Sequence, residues 1–452
     1  MGTRTPSTCV IGAGLSGLVA TKALRERGLP VETFEMSDRI GGNWAFKNPN
    51  RRSSAYRSLH IDTSKERLGF SDFPMPAHYP DFPSHEQVHA YFESYVDRFR
   101  LAESIRFETE VRHATRLEGG GWELELTGGG RRRCDALIVA NGHHWDARWP
   151  EPAFPGEFAG RQIHSHEYID PTEPIDMRGK RILVVGIGNS AVDIASELSR
   201  RDLAEAAFIS TRRGAYVIPK YVFGRPIDTV MRTMPHVPLG LQKSLARGLM
   251  RITVGRMENY GLPTPDHKLL EAHPTVSSEL LVRLGSGDLA AKPDIRRLDG
   301  AEVEFADGSR ERIDVIIYAT GYKITFPFFD EEFISAPDNR LPLFKRMIKP
   351  GVDDLIMIGF AQAIPTLFPF CERQARWAAA YLAGDYALPD IAAMQATIRA
   401  DEKRDLKHFV KSKRHTMQVD TAVYEWGLDA EESAGRARAA AGSGRRFTPG
   451  ND

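Results

Sequence analysis

The chain has 452 residues, and its 60 Lys+Arg balance 60 Asp+Glu, so no global basic field exists to hold nucleic acid or an anionic membrane. Hydrophobic residues make up 42% and charged residues 27%, a globular composition with enough length for two or three domains of roughly 150 residues each. No apolar run approaches the ~20 residues of a membrane helix and no apolar leader precedes Cys9, so a cytoplasmic location is expected.

The first predicted element is a strand running straight into glycines, Cys9-Val10-Ile11-Gly12-Ala13-Gly14-Leu15-Ser16-Gly17, continued by a helical pattern to Arg27 and stopped by Gly28. Val31-Glu32-Thr33-Phe34-Glu35 completes a strand-helix-strand unit. Gly12 makes the turn, Gly14 lets backbone N–H groups approach a pyrophosphate, and Gly17 lets helix and strand pack closely. Glu35 stands where a carboxylate accepts hydrogen bonds from a ribose diol. This context predicts a dinucleotide site that includes Ala13 and Ser16. Gly41-Gly42-Asn43-Trp44 extends the unit in the manner of FAD sites, with Trp44 as a wall beside the flavin, so FAD is the expected first cofactor.

A second unit runs from Arg181 through Val185 into Gly186-Ile187-Gly188-Asn189-Ser190-Ala191 and a helix to Leu198, with Ala191 in place of the third glycine. Its next strand ends in Thr211-Arg212-Arg213 instead of a carboxylate, and cationic, hydroxyl-bearing residues there suit a 2′-phosphate. NADPH is the expected second cofactor. Two short strands end alike, Ala136 to Gly142 and Val315 to Gly321, and bracket the second unit. The chain therefore reads as an α/β protein of two nested dinucleotide-binding, Rossmann-like domains. A FAD-binding domain over 1–165 and 301–428 is interrupted by an NADPH-binding domain over 166–300, and a flexible Ala/Gly/Arg/Ser-rich tail covers 429–452.

Cys9, Cys134 and Cys371 are too few for a disulfide framework and lack the C-x-x-C spacing of a zinc site or a disulfide reductase, so buried, reduced thiols are expected. His143-His144 has no nearby third ligand, and no metal is expected.

Between the two units, Phe158, Gly160, His164 and Tyr168 form an F-x-G-x-x-x-H-x-x-x-(Y/F) signature. With Gly-Gly-Asn-Trp at 41–44, Ser-Lys-Glu at 64–66, Phe-Ser-Asp-Phe-Pro at 70–74, Ser-Thr-Arg-Arg-Gly at 210–214 and Tyr-Ala-Thr-Gly-Tyr at 318–322, the chain resembles the flavin-containing monooxygenases, a family of class B flavoprotein monooxygenases, over roughly residues 8–415. The resemblance implies tightly held FAD, NADPH as hydride donor and O2 as co-substrate. It implies oxygenation of a small amine, sulfide or ketone through a C4a-(hydro)peroxyflavin. No nucleic-acid or membrane partner is implied, and a homodimer is compatible with it. It places Tyr168 beside NADP⁺, adds His60, Gln362 and Thr366 to the cofactor-binding set, and gives His164 an organising role in the linker.

One departure stands out at Leu59-His60-Ile61-Asp62-Thr63-Ser64, where N- and S-oxygenating members usually carry Asn at the place of Asp62. Asp62 is the catalytic candidate, expected beside the flavin edge and the nicotinamide. An ionised carboxylate accepts but cannot donate, as in the related Baeyer–Villiger monooxygenases, whereas a protonated one could replace the amide. Against a pure Baeyer–Villiger reading, the signature continues as Tyr168-Ile169-Asp170 and lacks the Trp usual in that group. Baeyer–Villiger oxidation as the main activity and an uncoupled flavoprotein that oxidises NADPH and releases H2O2 stay open as alternatives.

Overall fold

The computed structural model describes residues 4–232, 239–269, 271–272, 274–408 and 417–450; the end of the resemblance, 409–415, lies outside the described residues. The elements that position the site are, in chain order, β1 (Thr8–Ile11), α1 (Leu15–Glu26), β2 (Val31–Phe34), α2 (His85–Phe99), β3 (Ile105–Arg106), β4 (Ala136–Val139), β5 (Arg161–His164), β6 (Arg181–Val185), α3 (Asn189–Leu198), β7 (Ala206–Ser210), β8 (Leu289–Lys292), β9 (Val315–Tyr318), β10 (Leu355–Met357), α4 (Phe368–Leu382) and α5 (Thr421–Ala440).

Two five-stranded parallel sheets form the frame, in the orders β10-β4-β1-β2-β3 and β5-β9-β6-β7-β8. Their central strands read as unbroken apolar runs because both faces are covered; every residue of β1, β4 and β9 is buried. Truncating one of them, as in Ile138→Ala, would cost about 2–5 kcal/mol. Helix α1 packs between β1 and α4, burying Leu18, Val19, Ala20 and Leu24 on the apolar side of its stripe. Helix α2 starts at a reciprocal cap in which Ser84 accepts from the Gln87 N–H and the Gln87 side chain accepts from the Ser84 N–H.

The same turn is built twice. Gly12 has φ +101° and Gly186 φ +132°, and a Cβ on either would lie 2.7 Å from the Ala140 carbonyl oxygen or 2.6 Å from that of Ala319. Each glycine turn is thus pressed against the end of its neighbouring strand, and no other residue fits there.

Two expectations need correction. Strands β5 and β9 belong to the second sheet, with His164 opposite Tyr318, so the second unit reaches beyond 166–300 on both sides, and of the two strands that end alike only β4 belongs to the first sheet. The segment after 428 is not a loose tail. It continues α5, capped where Asp420 accepts from Ala422 and Val423 N–H, and it docks: Tyr386 donates to Glu431 (2.7 Å), Arg438 donates to the Ala387 carbonyl (3.0 Å), and Arg445 pairs with Leu388 through both backbone bonds. Good helix formers and closely spaced ion pairs such as Glu432–Arg436 outweigh the glycine and serine content there.

The chain crosses between the units as a ribbon. Asp146–Ala147 pairs antiparallel with Tyr322–Lys323, and the Arg148 N–H donates to the Gly321 carbonyl at 2.9 Å. No helix among the described residues is long and apolar enough to cross a membrane.

Candidate active site

In the first unit, the N-terminus of α1 begins at Gly14 with no side-chain cap, so its free N–H groups point out of the glycine turn. Gly14 and Gly42 face each other backbone to backbone: a Cβ on Gly14 would stand 3.4 Å from Gly42 Cα, and one on Gly42 3.1 Å from Gly14 Cα. A Cβ on Gly17 would lie 1.8 Å from the Gly12 carbonyl oxygen, which explains the third glycine by packing alone. Glu35 is buried and accepts from the Ala13 and Ser37 N–H groups, each at 2.8 Å. Burial pushes its carboxyl up and these backbone donors pull it back. It therefore braces the turn with one lone pair on each oxygen and leaves the others for a ligand. Ser16 lies beside Cys371 of α4, its hydroxyl 3.5 Å from the sulfur. Asn43 spends its side-chain oxygen on Ser54, and Trp44 meets the edge of Phe368 with ring centroids 6.3 Å apart.

The second unit repeats the uncapped start at Gly188, with the Ala191 methyl where the third glycine would be, 3.5 Å from where a Cβ on Gly186 would stand. Asn189 accepts from the Val276 N–H at 3.0 Å, and Ser190, half-buried, follows it in the first turn of α3. Thr211 is buried and donates to the Arg213 carbonyl at 2.6 Å, shaping the bend that carries Arg212. Arg212 is exposed, and among the described residues no ion pair engages it, whereas Arg213 faces Asp266 at 3.6 Å.

Residues 56–64 bridge the units. Tyr56 donates to Asp193 of α3 at 2.6 Å, and Ser58 and Tyr168 donate to Glu197 of the same helix at 2.8 and 2.9 Å. Asp62 lies 3.3 Å from the Lys220 ammonium, its side chain 21% exposed. Thr63 donates to the Pro365 carbonyl at 3.0 Å, joining this segment to the loop that carries Gln362 and Thr366. Asp62 thus stands where the first unit meets the second. Burial and the neighbouring Asp193 carboxylate push its carboxyl up to about 7 against the opposing pull of Lys220.

The remaining sequence candidates separate. His60 is exposed, its Nδ1 2.9 Å from the Ser58 carbonyl. Tyr168 is fully buried behind α3 against Tyr56, in a packing position. His164 accepts from the His166 N–H at Nδ1, which leaves the proton on Nε2, and burial lowers it to about 4, so it is a neutral imidazole at the end of β5. No group of three metal-ligating side chains exists among the described residues, and all three cysteines are free and buried.

Several polar atoms are buried without a partner: Gln362 Oε1, Thr366 Oγ1, Asn141 Oδ1 and both amide atoms of Gln418, which lies opposite Gln362 in the strand register. Together with the paired glycine backbones and the uncapped helix starts, these orphans fit a polar, flat-ringed dinucleotide. Asn141, Gln418, Asp193 and Lys220 were not singled out from sequence. Asn141 follows β4, an interior strand of the first sheet, at the end where ligands approach parallel sheets; the other three carry no local signal.

A family model described as flavin-binding monooxygenase-like matches residues 6–431. Flavin-containing monooxygenase 5 of Mus musculus is 37% identical over 431 residues, covering 91% of this chain and 80% of its own. Dimethylaniline monooxygenase [N-oxide-forming] 2 of Rattus norvegicus is 37% identical over 435 residues, covering 92% and 80%. The structure is similar to that of S-allyl-L-cysteine S-oxygenase from Allium sativum, with a TM-score of 0.71 and 26% identity over 96% of this chain and 90% of that one. An oxidised steroid monooxygenase bound to NADP shares the fold, with a TM-score of 0.69 at 18% identity over 96% and 98% of the chains.

Proposed function

Because the chain belongs to the flavin-binding monooxygenase-like family and is an FAD-dependent monooxygenase, we propose that it spends NADPH and O2 to insert one oxygen atom into an amine or a sulfide. The balance is substrate, O2, NADPH and a proton giving oxygenated product, water and NADP⁺. The observation that carries this reading is the pair of glycine turns with uncapped helices on either side of the Asp62 segment. The relatives named for N-oxide formation and S-oxygenation favour soft nucleophiles.

In this reading Gly12, Ala13, Gly14, Ser16 and Gly17 hold the FAD pyrophosphate at the start of α1, and Glu35 takes the ribose. Gly42, Asn43, Trp44, Gln362 and Thr366 surround the ring system, whose unpaired polar edges the orphaned side-chain atoms would meet. Gly186, Gly188, Asn189, Ser190 and Ala191 hold the NADPH pyrophosphate, and the Thr211 bend offers Arg212 to the 2′-phosphate. Bound FAD supplies the two-electron transfer and the activation of O2 that side chains cannot. The chain's own part is to orient the cofactors and to hold or release a proton at the Asp62 carboxyl, in a segment anchored by the buried Tyr56 and Ser64.

A second reading, ketone oxidation of the Baeyer–Villiger type, is favoured by one observation: position 62 carries a carboxyl set beside the Lys220 ammonium, a group that can give up a proton where an amide cannot. The experiment is an oxygen-electrode and product assay with a tertiary amine, a sulfide and a cyclic ketone, counting NADPH consumed against product and H2O2. Amine or sulfide product in proportion to NADPH supports the reading. Ketone product alone transfers it to the second, and H2O2 alone with all three classes makes the protein an uncoupled oxidase.

A further inference from the structure

An arm of the second unit reaches across onto the first. It contains the short strands Val217–Ile218 and Tyr221–Val222. Tyr221 donates to Asp81 at 2.9 Å, and Asp228 accepts from the Ser64 N–H at 2.8 Å. Immediately before the first of these anchors stands Lys220. Its backbone is fixed on both sides, the N–H donating to Ser278 at 3.0 Å and the carbonyl accepting from Ile227 at 3.0 Å. Its ammonium lies 3.3 Å from Asp62 Oδ1, 3.5 Å from the Ile61 carbonyl and 5.1 Å from the centre of the Phe82 ring, with only 19% of the side chain exposed. A lysine held at backbone and head, at the end of a cross-unit arm, is a placed charge and not a solvated one.

We propose that Lys220 is a positioning residue for oxygenation: delivered by the arm of the second unit, its ammonium holds Asp62 in place and sets its charge. The proposal rests on the reading that Asp62 serves the reaction. The arithmetic of the cluster is two carboxylates, Asp62 and Asp193, against one ammonium. Asp62 is faced by Lys220 from the arm and by Asp193 from α3; Asp193 in turn receives the Tyr56 hydroxyl and lies in the field of Glu279 and His60. Both carboxyls are raised by burial; Lys220 opposes this at each, alone at Asp62 and together with the Tyr56 hydroxyl and His60 at Asp193. Without it, the pair keeps its protons to higher pH. No electron or atom transfer is assigned to Lys220; it changes only which protonation state Asp62 presents.

The test is an infrared pH titration of the FAD-loaded protein, following the protonated-carboxyl stretch, with Asp62→Asn used to assign the Asp62 band. Lys220→Met and Lys220→Gln are both made, so that a fold defect in one does not end the experiment, and Lys220→Arg restores the charge. In the neutral variants the Asp62 midpoint should rise by about one pH unit or more, and Lys220→Arg should return it most of the way. The pH profile of product formed per NADPH should move by the same amount in the same direction. An unmoved infrared midpoint in both neutral variants overturns the proposal. A midpoint that moves while the product profile stays still overturns the role in oxygenation and faults the reading of Asp62, leaving the ion pair as a structural contact.

Discussion

The facing glycines offer a perturbation that separates binding from folding. Gly14 has φ −79° and ψ −171°, a conformation open to any residue, and its added Cβ would meet Gly42 Cα at 3.4 Å, an ordinary contact. Gly14→Ala should therefore fold, at a cost below ~1 kcal/mol for a poorer N-cap. The methyl would project into the gap that the pyrophosphate must use, and overfilling a packed space by one carbon costs about 1–3 kcal/mol. At ~2 kcal/mol the FAD Kd rises about thirtyfold. Gly17→Ala is different, because its Cβ would sit 1.8 Å from the Gly12 carbonyl oxygen, while the Gly12 N–H is held by the Phe34 carbonyl at 2.8 Å. Helix and turn must separate, so stability and flavin should be lost together. The assay is FAD titration of each apoprotein by fluorescence quenching, paired with calorimetric melting. Wild-type FAD affinity in Gly14→Ala would remove the Gly14–Gly42 gap from the dinucleotide path. A melting loss equal to that of Gly17→Ala would make the gap ordinary packing.

Other outcomes follow from the same geometry. Arg212→Ala should lose at least tenfold of the preference for NADPH over NADH in kcat/KM, and an unchanged ratio places the 2′-phosphate contact elsewhere. The Asp62 carboxyl, raised in the folded chain to about 7, takes up a proton that the unfolded chain does not hold between pH ~4 and ~7, so stability falls as pH rises through that window and levels above it. Asp62→Asn should flatten this slope, its advantage over wild type growing from pH 5 to pH 8 in denaturant titrations of the apoprotein; a constant difference refutes the raised carboxyl. Tyr168→Phe removes one of two donors to Glu197 and should cost about 1 kcal/mol in stability with KM for NADPH unchanged. A raised KM at unchanged stability would return Tyr168 to the cofactor.

Both glycine units were legible because their signal is contiguous: an apolar run, glycines at fixed offsets and an amphipathic helix. What strand pairs with what was not. β5 and β9 look in sequence like neighbours of the first unit, yet His164 and Tyr318 are partners in the second, and pairing between distant segments leaves no local trace. The position of Glu35 could be read from spacing, but not that two backbone donors already engage it. Asp62 was found as a departure from a motif. Its surroundings were hidden because Lys220 and Asp193 arrive from elements far along the chain, each unremarkable among polar neighbours. The docked tail was missed because glycine and serine drew attention away from Glu431, Glu432, Arg436 and Arg438, whose spacing supports a helix.

The ribbon between the units has a consequence for how such a chain can change. The polypeptide leaves the first unit at Asp146–Ala147 and comes back at Tyr322–Lys323 as the opposite strand of one hairpin-like pair. Everything between is an insert whose two ends touch, which is the geometry that lets a segment be cut out or exchanged without rethreading its host. The second unit is in this sense a cassette: a homologous segment grafted at these two positions would inherit its attachment to the first unit from the ribbon, and would have to supply its own arm to reach position 62.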